Sequence, residues 1–471
     1  MGSPRRAGEG YADVVVGLQY GDEGKAKVVD LLAPDYDIVA RFNGGANAGH
    51  TIESSKGRVV LQQVPSAVFE EQATLYIGSG CAVNLWKLCI ELETLGSLGI
   101  DLEGRLWLNP HAALVQPSHI LADRLSGSTI GTTNNGIGPC YADRASRVCG
   151  TRRVNLQLGD LIADPDGCLE AAAANIDDVL SASGTVDELQ REMAYAQVQD
   201  LRRCLEVVRP YVTRSDYLLD RARAGARVLF EGAQSLMLDV VHGDQPYVTA
   251  SHTVPGYAFV GGDLPPRYHR RTIGVAKAVV SRVGNGPFPS ELGGERSAQY
   301  FIDACAQGRG RSDEQSQWDP EDLLSSGDDF ALGTALRMLT NEYGSGTGRP
   351  RRIGLLDLRQ LREAVVSAGV DAIYLNKVDC LSLYRHSKYR GIPICVDNGA
   401  GPGTVIEVLP IVDGPGQGPD EVPRDVLHAL RELIQQKVGV PVLGFGLGPD
   451  RSSIQQFEHP DRFRSELETA S

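Results

Sequence analysis

"VVVGLQYGDEGKAKVVDLL" (residues 14–32) carries the reading of the fold: a valine run passes through a glycine loop into a helical pattern. A buried strand that feeds a helix in this way begins a βα unit, and such units build parallel sheets. The loop resembles a phosphate-binding loop with a different count. Gly17 lies seven residues before Gly24-Lys25, and Ala26 stands where such loops carry Ser or Thr. Backbone N–H groups and the helix N-terminus converge on an anion in these loops, and Lys25 adds a full positive charge. Ala26 removes the hydroxyl that reaches Mg²⁺, so another ligand is needed, and Asp22 inside the loop is the candidate. Taken alone, the stretch also fits a glycine turn bearing surface charges.

Working outward, apolar runs at 36–42, 73–80, 226–233, 271–283, 370–379 and 440–446 read as further strands. Helical patterns fall at 25–34, 84–97, 196–224, 355–368 and 423–437. The alternation predicts an α/β fold: a large central, mostly parallel sheet flanked by helices, with smaller subdomains and the variant phosphate-binding loop. We expect a disordered tail over 1–10 and a single domain over 11–471. Residues 293–330 are polar and rich in Gly, Ser and Asp, and read as an insertion or mobile loop, short helices being the lesser alternative.

The chain has 471 residues, a net charge of −14 and 54 glycines. The acidic balance argues against a nucleic-acid surface, although local arginines can still hold an anionic substrate. The nine cysteines form no Cys-x-x-Cys pair. Scattered in this way they suggest reduced core thiols and a cytoplasmic protein. No run is long and apolar enough to span a bilayer, and no membrane partner is expected.

Four other stretches carry candidate chemistry. "RFNGGANAGHT" (41–51) joins two glycine turns to Asn47, His50 and Thr51; a catalytic His would need a partner and a substrate oxygen. "IGTTNNGIGPCYADRASR" (130–147) sets Thr132 and Thr133 in a glycine loop before Arg144 and Arg147, which suits a phosphate monoester or an ordinary polar loop. "LNKVDCL" (375–381) places Asn-Lys-x-Asp at a strand end, the guanine-reading pattern of GTP-binding proteins. There Asp379 would accept from guanine N1 and N2 while the Lys377 stem covers the ring. "EYGSGTGRPRRIGLLDL" (342–358) concentrates Arg349, Arg351 and Arg352 in a loop that could clamp a dicarboxylate or a phosphate.

Together and in this order, these motifs closely resemble the adenylosuccinate synthetase family, from about residue 12 to 455. "VLFEGAQ" (228–234), "HGDQPYVTASHT" (242–253), "RVGNGPFPSEL" (282–292) and "GLGPDR" (446–451) add to the likeness. The resemblance implies a GTP-dependent ligase that joins aspartate to the 6-oxo position of IMP, giving adenylosuccinate, GDP and phosphate, with Mg²⁺. It implies that Asp22 removes the purine N1 proton and binds Mg²⁺, with the Gly49 carbonyl as a further metal ligand. His50 would donate to the purine O6 as that oxygen attacks the γ-phosphate. Gly24, Lys25, Thr51, Lys377, Asp379 and Gly448 match GTP-binding positions. Asn47, Thr132, Thr133, Gln234, Thr249 and Val283 match contacts to the purine nucleotide. Arg147 matches an arginine that serves the neighbouring subunit, which implies a homodimer. Thr347, Arg349 and Arg351 match the aspartate-binding loop.

The sequence also departs from the family. Tyr20 and Ala26 replace Trp and Gly, and Asn134-Asn135 replaces Gly-Arg. Ser235-Leu236 replaces Gly-Thr, Ser345-Gly346-Thr347 replaces a run ending in Thr-Thr, and Gly446 stands where Ser is common. Residues 254–271 match poorly, and the segment before the arginine loop is longer than usual. A paralogue using the same chemistry on another purine nucleotide or another amine is therefore the alternative reading. A GTP-binding switch without ligase activity would leave Asp22, His50, Gln234 and the arginine loop unexplained.

Overall fold

The computed structural model describes residues 8–47, 49–54, 57–126, 131–183, 187–344, 348–397, 404–412 and 421–457. The chain forms two compact units. One draws on Met1–Val16, Val29–Gln234 and Leu238–Arg271, the other on Gly17–Val28, Ser235–Met237 and Thr272–Ser471.

The first unit orders its strands Tyr11–Gly17, Arg227–Ser235, Ile38–Arg41, Thr74–Ile77 and Leu106–Leu108. Arg227–Ser235 pairs in parallel with Ile38–Arg41, and the sheet continues in parallel through the next two strands. Val14, Val15, Val16, Ile38, Val39 and Leu229 are at most 1 % exposed. Such unbroken burial belongs to a parallel sheet covered on both faces, which is why these strands read as continuous apolar runs rather than alternating ones. The second unit orders His269–Lys277, Ala372–Asn376, Val442–Gly446 and Ile454–Gln456. The first three run parallel and the last pairs antiparallel. The expected α/β class, with mostly parallel strands flanked by helices, holds in both units.

Several boundaries differ from the sequence reading. The run 271–283 is two strands, His269–Lys277 and Val280–Arg282, and the second pairs antiparallel with Arg352–Gly354. Gln19 causes the break: its side-chain amide donates to Lys277 O at 3.2 Å and accepts from Lys277 N at 2.9 Å. The helix expected over 196–224 is Glu188–Val208 followed, after a 3₁₀ turn at Arg209–Tyr211, by Tyr217–Arg223. Pro210 has no N–H to continue the helical ladder. Helices at Leu85–Ser97 and Leu358–Ala368 start where Asn84 and Asp357 cap the amides of Lys87 and Gln360.

Residues 293–330 form helices Gly294–Gln307, Arg311–Gln317 and Pro320–Ser325 and lead into Asp329–Leu339. Of the N-terminal ten residues, 1–7 lie outside the described residues, and Gly10 N donates to Ala222 O at 2.9 Å. All nine cysteines are unpaired; six are buried, but Cys149 is exposed and Cys305 and Cys380 are partly so. Among the described residues no helix is long and apolar enough to cross a membrane.

Candidate active site

In parallel α/β sheets, ligand-binding loops leave the carboxyl ends of strands. In the first unit, Ile38–Arg41 runs into the residues that follow it, and Arg227–Ser235 carries Gln234 next to its carboxyl end. His50 opens the hairpin of His50–Ser54 with Gly57–Leu61. It is 9 % exposed, and its Nδ1 lies 2.6 Å from Glu231 Oε1 and 3.2 Å from Ser66 Oγ. Ser66 donates its N–H to Glu231 Oε2 at 2.8 Å and its hydroxyl to Oε1 at 2.5 Å. Burial pushes the Glu231 carboxyl up, but His50, Arg41 and the Ser66 hydroxyl outweigh it and hold it at about 2. The carboxylate therefore stays ionised, holds a proton on Nδ1 and favours positive charge on the ring. None of the sequence motifs assigns Glu231 a role. A carboxylate inside the apolar run "VLFEGA" is the signal that could have found it.

Asn43, fully buried, ties the two strand ends together. Its amide donates to Ala233 O at 3.2 Å and His252 O at 2.9 Å, and its oxygen accepts from Ala233 N at 2.8 Å. Gln234 beside it has a φ of 55°, and its Oε1 is buried without a protein hydrogen bond. A buried acceptor in that state calls for a donor from outside the protein, a water or a ligand.

Thr133 Oγ1 accepts from Asn135 Nδ2 at 3.0 Å, while Thr132 Oγ1 donates to Asn134 Oδ1 at 3.3 Å. Asn135 also donates to Ala46 O at 3.0 Å and accepts from Lys87 Nζ at 2.6 Å. Lys87, Thr133, Asn134 and Asn135 border a cavity of about 310 Å³ that Trp86, Ile120 and Leu201 also line. Asn47 accepts from Gly45 N at 3.1 Å, and Gly49 and Thr51 flank His50. Thr249 N donates to Leu238 O at 2.8 Å, in a stretch that Asp239 organises by accepting from the amides of Val241, His242 and Thr253. Arg147 is exposed at the end of helix Ile137–Ser146. Arg144 instead donates to Ser79 O at 2.9 Å and supports the fold.

The second unit holds the variant loop. Gly21, Asp22 and Gly24 have φ of 96°, 57° and 77°. A Cβ on Gly24 would lie 2.8 Å from Asn376 Nδ2, which donates to Glu23 O at 2.7 Å, so this position needs glycine for both conformation and space. Glu23, 1 % exposed, is the hub: it accepts from Gly21 N and Lys25 Nζ, each at 2.8 Å, and from the Ser235 hydroxyl. Lys25 is thus anchored within the loop, and the departure at Ser235 has become part of that anchor.

Asp22 points away from this hub. Its side chain is 38 % exposed, and its Oδ2 accepts from Arg351 Nε at 2.9 Å. Desolvation pushes the carboxyl up, but Arg351 and Lys277 outweigh it, so it titrates below the ordinary 3.8. Lys277, fully buried, donates to Ser281 Oγ at 2.5 Å and Glu342 Oε2 at 2.8 Å. Glu342 Oε1 lies 3.2 Å from Lys377 Nζ, which also donates to Thr340 O at 2.6 Å. Burial pushes Glu342 up, but the two lysines hold it at about 2. One buried carboxylate thus balances a lysine near Asp22 and the lysine of the guanine-reading pattern.

Asp379 opens the 3₁₀ stretch Asp379–His386 two residues after that lysine. Lys27 donates to Gly448 O at 2.8 Å; burial lowers its ammonium to about 8 against the opposing pull of Asp379. A Cβ on Gly446 would lie 2.5 Å from Lys27 Nζ and 2.2 Å from Asn376 Oδ1, so Lys27 fills the space a serine would need. Val283 N donates to Tyr20 O at 3.2 Å. In the arginine loop, Arg349 O accepts from Gly344 N at 2.9 Å, and Thr347 lies outside the described residues. Arg352 belongs to a strand and pairs with Glu291 at 2.5 Å, so it is structural rather than part of a clamp. Among the described residues no three His, Cys, Asp or Glu side chains gather around a metal position.

The adenylosuccinate synthetase family model matches residues 14–411. The chain belongs to this family. Adenylosuccinate synthetase 2 of Cupriavidus pinatubonensis is 52% identical over 460 residues, covering 95% of this chain and 98% of that protein. Adenylosuccinate synthetase of Chlorobium chlorochromatii is 38% identical over 383 residues, 80% of this chain and 78% of that one. The fully ligated adenylosuccinate synthetase of Plasmodium falciparum superposes with a TM-score of 0.75 at 26% identity, covering 95% of this chain and all of that one. The cyanophage S-2L succinoaminodeoxyadenylate synthetase, bound to dGMP and dATP, shares the fold with a TM-score of 0.60 at 19% identity, covering 98% of each chain. As an adenylosuccinate synthetase family member, the protein is a GTP-dependent carbon–nitrogen ligase of purine biosynthesis.

Proposed function

We propose that this enzyme joins L-aspartate to the 6-oxo position of IMP at the expense of GTP, through the residues placed above. The observation that carries the reading is the ionised, buried Glu231 against His50 Nδ1 at 2.6 Å. It supports a charged imidazole whose second N–H donates to O6. Asp22, ionised below the ordinary carboxylate range, takes the N1 proton. O6 is a weak nucleophile until N1 loses that proton, so base and donor act on the same developing oxyanion. The activated O6 then attacks the γ-phosphate and GDP leaves; this turns a poor oxide leaving group into phosphate, which the aspartate amine displaces with loss of its proton.

The donor set fits Mg²⁺, which takes hard oxygen ligands and is often held by one carboxylate plus substrate phosphates. Asp22 would hold it, and the ion would neutralise charge on the phosphates. Lys25 and the loop amides hold GTP phosphate oxygens, with Gly24 and Thr51. Lys377, Asp379 and Gly448 hold guanine. Gln234 Oε1, buried without a protein donor, meets the nucleotide. Asn47, Thr132, Thr133, Thr249 and Val283 complete that contact, and Arg349 and Arg351, with Thr347, take the aspartate carboxylates. Arg147, exposed at its helix end, serves a second copy in a homodimer.

Incubation with IMP, aspartate, GTP and Mg²⁺ should yield adenylosuccinate by mass spectrometry. Asn135 favours a second reading: it stands at the nucleotide loop bonded to Lys87 and Ala46, where the family has arginine. A paralogue for another purine nucleotide or amine would give no product with IMP and aspartate but turn over another pair in a nucleotide-by-amine screen. Asp379→Asn should erode the preference for GTP over ATP by about tenfold or more, because a carboxylate bonded to guanine is replaced by an amide. Unchanged relative kcat/KM for the two nucleotides would remove Asp379 as the base reader.

A further inference from the structure

The helices at 294–325 attach to the arginine loop through one buried carboxylate. Glu314, 1 % exposed on helix Arg311–Gln317, accepts from Arg337 Nη2 at 2.7 Å and Nε at 3.0 Å. It also accepts from Tyr300 OH at 2.8 Å and Tyr343 OH at 2.6 Å. Arg337, 2 % exposed, donates its remaining Nη1 to Arg351 O at 3.1 Å. Tyr343 pairs with Pro350 across the loop's two ends, where Gly344 N meets Arg349 O at 2.9 Å and Arg351 N meets Glu342 O at 3.0 Å. Arg351 in turn carries the guanidinium that bonds to Asp22. The same segment walls a cavity of about 630 Å³ that Tyr343 and Gly348 also line, with Arg309 and Arg311 on its own side.

We propose that Glu314 is a positioning residue for the amine donor: through Tyr343 and Arg337 it sets both described ends of the loop that presents Arg349 and Arg351. The helical segment is then a specificity element, not a surface decoration. Buried, fully bonded carboxylates of this kind define one geometry, because every alternative leaves a charge unpaired. The proposal rests on the reading of Arg349 and Arg351 as donor-binding residues.

Steady-state kinetics with varied aspartate and varied GTP test it on three variants. Tyr343→Phe keeps the ring and removes one hydrogen bond to Glu314. It should raise KM for aspartate by roughly three- to tenfold while kcat and KM for GTP stay within about twofold. Glu314→Gln should raise the aspartate KM further in the same selective way. If it fails to fold, the Tyr343→Phe result alone decides. Arg349→Leu serves as the reference for the donor-binding reading. A raised aspartate KM in Arg349→Leu with none in Tyr343→Phe overturns the positioning role. An unchanged aspartate KM in both overturns it through the reading beneath it. Equal rises in the aspartate and GTP constants, or a lower melting temperature with unchanged kinetics, would show a merely structural contact and also overturn it.

Discussion

Asp22→Asn should cut kcat by about 10²–10⁴-fold, the usual contribution of a positioned general base, while GTP binding is largely kept. Asparagine is the informative replacement because Asp22 has a φ of 57°, which Asn tolerates and Ala does not. An alanine variant, expected to be equally inactive, would add backbone strain of roughly 1–2 kcal/mol to the chemical loss. The phosphate loop should survive, since its hub is Glu23, held by Gly21, Lys25 and Ser235 rather than by Asp22. Arg351 loses only a partly exposed partner. The carboxyl titrates below 3.8, so the base form persists as the solution is acidified through the ordinary carboxylate range. Loss of turnover on the acid side of neutrality should then come from other groups. A variant with a near-normal rate would refute the assigned role.

Glu231→Gln should bring a loss of similar size, about 10²–10⁴-fold in kcat, although Glu231 itself acts only through His50. The amide keeps the shape but carries no charge, so it favours the imidazolium far less and accepts from Nδ1–H only when its oxygen, not its NH2, faces the ring. A second readout separates this from simple misfolding. The folded carboxyl titrates at about 2 against an ordinary 4.5. Its stabilising contribution is therefore complete above about 4.5 and is lost as pH falls toward 2. Acid unfolding followed by circular dichroism should show that loss in the parent and a shallower one in the variant. Full activity in Glu231→Gln would mean that His50 needs no charged partner.

The parallel strands of each unit were legible because burial on two faces demands unbroken apolar runs. The helix starts at Asn84 and Asp357 are local capping events, and such events are written in a few adjacent residues. The helices at 294–325 were read as a polar, mobile segment because few of their side chains point inward. Helix Gly294–Gln307 buries only Ser297, Phe301 and Ala304, and Pro320–Ser325 only Leu324, so the inward faces carry too few large apolar side chains to stand out. The three arginines at 349, 351 and 352 looked alike in the sequence. Strand pairing at Arg352–Gly354 sends Arg352 to Glu291, while Arg351 reaches Asp22. Alternation of side chains along an extended backbone separates them, and composition cannot.

By itself the sequence determined the α/β class, the family, and the loops where GTP and the purine nucleotide are expected. Those rest on short, contiguous patterns whose backbone chemistry is local. Only the tertiary structure decided which carboxylates stand behind the functional side chains: Glu23 behind Lys25, Glu231 behind His50, and Glu342 behind Lys277 and Lys377. Glu23 is two residues from its lysine, yet only the folded loop shows that it is buried against it. A charge survives burial only where partners converge on it, and convergence from distant segments is a property of the fold. The Asp22 loop shows both halves. Its glycines and lysine were visible as letters, but its working geometry depends on Ser235, Asn376 and Arg351, which the chain brings to it from far away.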